Sequence, residues 1–200
     1  MDSWDAIRRE LIGMKEEDQR VRAELAADGS LFQGYHHRMR EVHDAHAARL
    51  AEILDQHGWP GVPQVGAAGA AAAWLIAQHA IAQPAFLRRV LNLLKPAAER
   101  GDVPAVQVAM LEDRIRSFEG RPQLYGTQFD WDEQGRMSPL PFDDAARVDA
   151  RRREIGLEPL AEAVQKQRAA TADGPERPPL DWAGRQRERE AWCREVGWRR

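Results

Sequence analysis

Trp4, Ile7, Leu11, Met14, Val21 and Leu25 recur at the spacing of one helix face, and the position that completes the stripe between Met14 and Val21 is Asp18. A carboxylate therefore sits in an apolar seam. The same interruption returns in a second helical segment, where Met39, Val42, Leu50 and Ile53 define a face with His46 in its middle. It returns at Gln78 and His79, which close a third segment, and at Arg152, between Val148 and Ile155. Burying a polar or charged group is unfavourable by several kcal/mol unless it is paired. Several helices that each carry one on the inner face point to a shared polar site inside an α-helical domain.

Breakers divide the chain. The first helix runs from about Ser3 to Ala27 and stops at Asp28-Gly29-Ser30, and the second runs from near Gly34 to the Gly58-Trp59-Pro60-Gly61 turn. A central Ala/Gly-rich helix over 65–82 follows. Pro84 opens a fourth helix that Pro96 should shorten, and a fifth lies between Gly101-Asp102 and Phe118. After Gly120 the chain becomes polar and turn-rich, and Asp143 or Asp144 then caps a sixth helix to about Ile155, with a seventh from Leu160 to Arg168. The pattern predicts a mainly α fold: one helical domain over 1–168 with six or seven helices, and a short β-hairpin or irregular ribbon near 122–142. Residues 169–179 have linker composition, and 180–200 form a charged C-terminal tail or helix containing Trp182, Trp192 and Trp198. On that reading, deletion of 169–200 leaves a folded domain.

Composition narrows the function classes. A net charge of -3 argues against a nucleic-acid binder. Val62 to Leu87 lacks any Asp, Glu, Lys or Arg, yet it is mostly Ala and Gly interrupted by Gln and Pro, so a soluble central helix is expected there rather than a membrane span. The single Cys193 and an N-terminus without a basic, apolar leader make a cytoplasmic location the expectation. The tail holds six Arg against three Glu and one Asp, with Trp interleaved: it either packs on its own domain or adheres to a partner or to a neighbouring subunit of a homo-oligomer.

Chemistry can be assigned to a small set of residues. Asp18 and His79 are the candidate catalytic pair, His79 as acid–base group and Asp18 as its orienting carboxylate. Gln78, Asp113, Arg114, Tyr125, Thr127, Gln128 and Arg152 are candidate substrate-binding residues, because guanidinium forks beside amide and hydroxyl donors suit a small polar or anionic molecule. A structural reading competes with this one: Asp18 would be paired with Arg114, Arg152 or His46 in a closed network, and the chain would be a non-catalytic interaction module. Metal chemistry on His43, His46 and His79 is a third reading. No Glu-x-x-His or His-Glu-x-x-His pattern accompanies those histidines, so no metal and no cofactor is expected. No phosphate-binding Gly loop, nucleophile elbow or reactive Cys arrangement is present, which leaves a metal-independent hydrolase or lyase as the enzyme class to weigh.

Several blocks carry a resemblance. Asp18-Gln19 with Arg22, Gly58-Trp59-Pro60 with Val65-Gly66, Ala73 to His79, Leu111 to Arg114, Pro122 to Gln128, and Val148 to Arg152 with Gly156-Leu157 together resemble an uncharacterised bacterial family, domain of unknown function 6624. The likeness covers about 18–160. It implies no activity, and His43, His46 and the segment after Arg168 lie outside its pattern.

Overall fold

The computed structural model describes residues 3–32, 34–174 and 176–200, without the side chain of Asp173. Met1, Asp2 and Pro175, on which the leader and linker readings partly rest, lie outside the described residues. Eight α-helices and one antiparallel hairpin form among the rest: α1 Trp4–Ala27, α2 His37–His57, α3 Val62–His79, α4 Pro84–Glu99, α5 Ala105–Phe118, β1 Phe129–Trp131, β2 Met137–Pro139, α6 Val148–Glu154, α7 Leu160–Asp173 and α8 Trp182–Glu195. The fold is mainly α, as the periodicity predicts. The chain divides into two compact units, Met1–Pro104 and Ala105–Arg200.

Unit 1 holds α1 to α4. Ser3 caps α1 by accepting the Ala6 N–H, and Ile7, Leu11, Asp18, Val21 and Leu25 form its buried face. α2 buries Met39, His43, His46, Ala47, Leu50, Ile53 and Leu54. The central helix starts earlier and ends earlier than expected, at Val62 and His79, and it bends at Gly66, whose φ of 68° and ψ of 172° break the helical path. Small residues there let neighbours approach: a Cβ on Gly69 would lie 3.2 Å from Cγ of Arg8 on α1. Pro96 does not end α4, which continues to Glu99. It sits in the last turn, where its missing N–H removes a single helical hydrogen bond, to the Asn92 carbonyl.

Unit 2 holds the remaining elements. β1 and β2 pair in the register Phe129 to Pro139 and Trp131 to Met137. The sixth helix starts later than expected, at Val148, and α7 runs through Ala169 to Asp173, into the stretch whose composition reads as linker. The tail is α8. Cys193 and Trp198 are buried, the Phe118 ring lies 5.2 Å from that of Trp198 and 5.6 Å from that of Trp192, and Trp182 donates to the Trp131 carbonyl at 2.9 Å. Arg199 donates to the carbonyls of Phe118 and Ser117 at the C-terminus of α5. The tail aromatics thus pack within their own unit.

Candidate functional site

Asp18 is 1 % exposed on the inner face of α1. Its Oδ2 atom accepts from Nδ1 of His79, at the end of α3, over 2.8 Å, and lies 2.9 Å from Nε2 of His43 on α2. Three helices therefore each supply one group. The His43 contact is close, but among the described residues Nε2 makes no well-aligned hydrogen bond: the ring nitrogen approaches Oδ2 off the line that an N–H donor prefers, while still acting on the carboxyl as a close polar neighbour. Oδ1 of Asp18 is also buried without a hydrogen-bond partner among the described residues. On its other side, His43 pairs through Nδ1 with the Tyr35 hydroxyl at 2.8 Å, and a hydroxyl can donate or accept, so it serves either tautomer of the ring.

Burial pushes the Asp18 carboxyl up, whereas His43 and His79 pull it down. The second effect wins, and the group is held well below the usual carboxylate range. Burial pushes the Tyr35 phenol above its ordinary value, which keeps its proton on the oxygen. The His79 side chain is 23 % exposed, against 2 % for that of Asp18, so this imidazole gives the centre an edge in solvent. The His43 and His79 ring centroids are 5.0 Å apart.

These contacts revise the expected partners of Asp18. Within unit 1 they are His43 and His79, not His46. His46 instead faces Glu17 at 3.1 Å, while Arg114 and Arg152 belong to unit 2. Tyr35 is not among the expected site residues, and His43 is expected only in the metal reading, beside His46 and His79 rather than Asp18. The signal for His43 was its position one turn before His46 on the same face; Tyr35 precedes α2 and carries no periodic signal. Gln78 is half-buried at the end of α3, next to His79.

Unit 2 gathers the other expected residues around the loop before β1. Asp113, fully buried on α5, accepts at Oδ1 from the Leu124 N–H at 2.7 Å and at Oδ2 from the Thr127 N–H and hydroxyl at 3.0 Å each, while the Tyr125 N–H lies 3.2 Å from both oxygens. Burial outweighs these donors and leaves the carboxyl raised. Arg152, 2 % exposed, donates to the carbonyls of Glu158, Tyr125 and Gly126. Arg114, pushed down by burial to about 10, donates to the Gln128 amide oxygen at 3.0 Å. Gln128 in turn donates to the Met110 carbonyl and the Thr127 hydroxyl. Gln123, absent from the expected set, is buried and clamps the loop through the Gln128 N–H and the Gln128 and Leu140 carbonyls. Of the groups expected to hold a ligand here, the side chains of Asp113, Arg114, Thr127, Gln128 and Arg152 engage the chain itself.

A family model described as a family of unknown function, DUF6624, matches residues 5–172. No curated protein and no solved structure matches. No helix among the described residues is long and apolar enough to cross a membrane.

Proposed function

The chain belongs to the DUF6624 family, whose description assigns no reaction, and from the geometry of unit 1 we propose a cytoplasmic protein that binds a small polar or anionic molecule at Asp18 and His79 and transforms it by proton transfer, as a hydrolase or lyase does. One observation carries this reading: a partly exposed imidazole is anchored through one nitrogen on a fully buried carboxylate at 2.8 Å. Asp18 fixes the ring and its tautomer and stabilises the imidazolium that forms when His79 takes a proton, while the exposed part of the ring meets the molecule. His43 approaches the same carboxylate oxygen and is itself held by the Tyr35 hydroxyl. A single buried Cys193 fits the reducing compartment.

The closed network around Asp113 favours a second reading for unit 2 alone, a structural knot rather than a binding surface. A thermal-shift screen of small metabolites on chelator-treated protein separates the roles. Ligands that bind only the folded state add about 2.7 kcal/mol at a hundred times their dissociation constant. Hits among carboxylates, phosphates and other small polar compounds are expected, and His79→Ala and Asp18→Asn should each remove the shift. Shifts that survive both substitutions reject the reading.

A further inference from the structure

The contacts inside unit 1 leave two buried polar atoms unexplained by a proton-transfer pair alone. Oδ1 of Asp18 has no hydrogen-bond partner among the described residues, and Nε2 of His43 lies 2.9 Å from Oδ2 without forming a hydrogen bond. Both residues are more than nine-tenths buried, at 1 % and 8 % exposure. In a dry interior such atoms are unfavourable unless something meets them, because each has given up its hydrogen bonds to water. A ring and a carboxylate that share an ion instead of a proton are arranged in this way, because each lone pair points at the ion beside its neighbour rather than at the neighbour itself.

We infer that Asp18, His43 and His79 bind a divalent transition-metal ion of the zinc or cobalt class. One ligand atom from each of the three residues lies within 4.8 Å of the others, and the nearest pairs are 2.8 and 2.9 Å apart. Bonds of about 2.1 Å to nitrogen and oxygen impose separations of roughly 3 to 4 Å between ligand atoms, so small side-chain adjustments complete the cage. Two imidazoles and one carboxylate select a borderline ion over calcium or magnesium, which take mostly oxygen. Tyr35 supplies the outer contact. With Nε2 on the ion, His43 carries its proton on Nδ1 and donates it to the Tyr35 oxygen, the kind of support that metal-ligating histidines ordinarily have. Three protein ligands leave further positions on the ion, and the exposed side of His79 is where solvent reaches them. This proposal deepens the preceding one by naming a cofactor for the same centre: with the ion in place, His79 is a ligand, and the acid–base work passes to an ion-bound water.

The test uses full-length, tag-free protein stripped with chelator. Cobalt(II) is titrated in and followed by its visible absorption, and zinc(II) binding is measured by calorimetry. One equivalent per chain is expected. Asp18→Asn and His43→Ala should each weaken binding at least tenfold, Tyr35→Phe about tenfold, and the exposed His37→Ala should leave it unchanged. Because a core substitution can unfold the helix bundle, wild-type protein labelled at its imidazole nitrogens provides a second readout: zinc should move the His43 and His79 signals together. Absence of saturable binding, or binding that moves neither ring, overturns the inference. If no ion binds while metabolite shifts still depend on His79, the ion inference fails and the proton-transfer reading stands. Ion binding at these rings without any metabolite shift has the opposite meaning.

Discussion

Asp18 and Asp113 are both carboxylates on apolar helix faces, and both are buried, at 1 % and 0 % exposure, but their surroundings are opposite in kind. Asp113 is wrapped by backbone N–H groups of Leu124, Tyr125 and Thr127 and by the Thr127 hydroxyl. Those amides are fixed donors and cannot give up their protons. Asp18 faces two imidazoles, each able to hold or release a proton, and one of its oxygens has no hydrogen bond among the described residues. The first arrangement fixes a loop. The second offers titratable partners instead, so burial alone does not tell the two carboxylates apart, whereas the chemical type of their partners does.

The largest expected effect tests whether unit 2 is structural throughout. Linker composition makes the tail look dispensable, but burial of Cys193 and Trp198 makes it part of the unit. Removal of residues 180–200 should therefore abolish cooperative unfolding of unit 2, since truncation of one buried Trp alone is unfavourable by about 3 to 5 kcal/mol. Calorimetry of the shortened chain reads this directly, and an unchanged transition would show that the tail is an independent appendage. The next effect is smaller and more local. Asp113→Asn turns an amide donor towards the N–H groups of the loop, and a loss of about 3 kcal/mol in denaturant unfolding is expected. A neutral result would mean that the loop is not tied by Asp113 and would remove one side of the comparison.

Periodicity made much of this legible. Six apolar positions in agreement put Asp18 inward, the wheel of α6 put Arg152 inward, and the spacing between Met110 and Phe118 required Asp113 or Arg114 to flank the core. What the helix wheel could not supply was partners. The pairing of Asp18 with His43 depends on how α2 meets α1, and Tyr35 enters from a segment outside α2 with no repeat to place it. Gln123 was hidden for a similar reason: an amide in an irregular loop is buried by the loop's own path. Ala169 to Asp173 read as linker because of their flanks, although Ala is the strongest helix former and α7 continues through them. Nothing in composition marked the division at Pro104, where no run of linker residues occurs.

The central claim is that the Asp18 centre is a site and the Asp113 knot is a tie, and ligand-dependent melting shifts in two variants test it most directly. The histidine contacts hold Asp18 ionised in the fold, so that stabilisation is present at neutral pH and Asp18→Asn should lose stability, as Asp113→Asn does. Lost stability therefore does not separate the two carboxylates, whereas lost ligand response does. The account predicts that the melting shift given by the small polar or anionic hits of the metabolite screen disappears in Asp18→Asn and persists in Asp113→Asn. A shift that persists in Asp18→Asn, or that disappears equally in both folded variants, would contradict it and make Asp18 a structural carboxylate like Asp113.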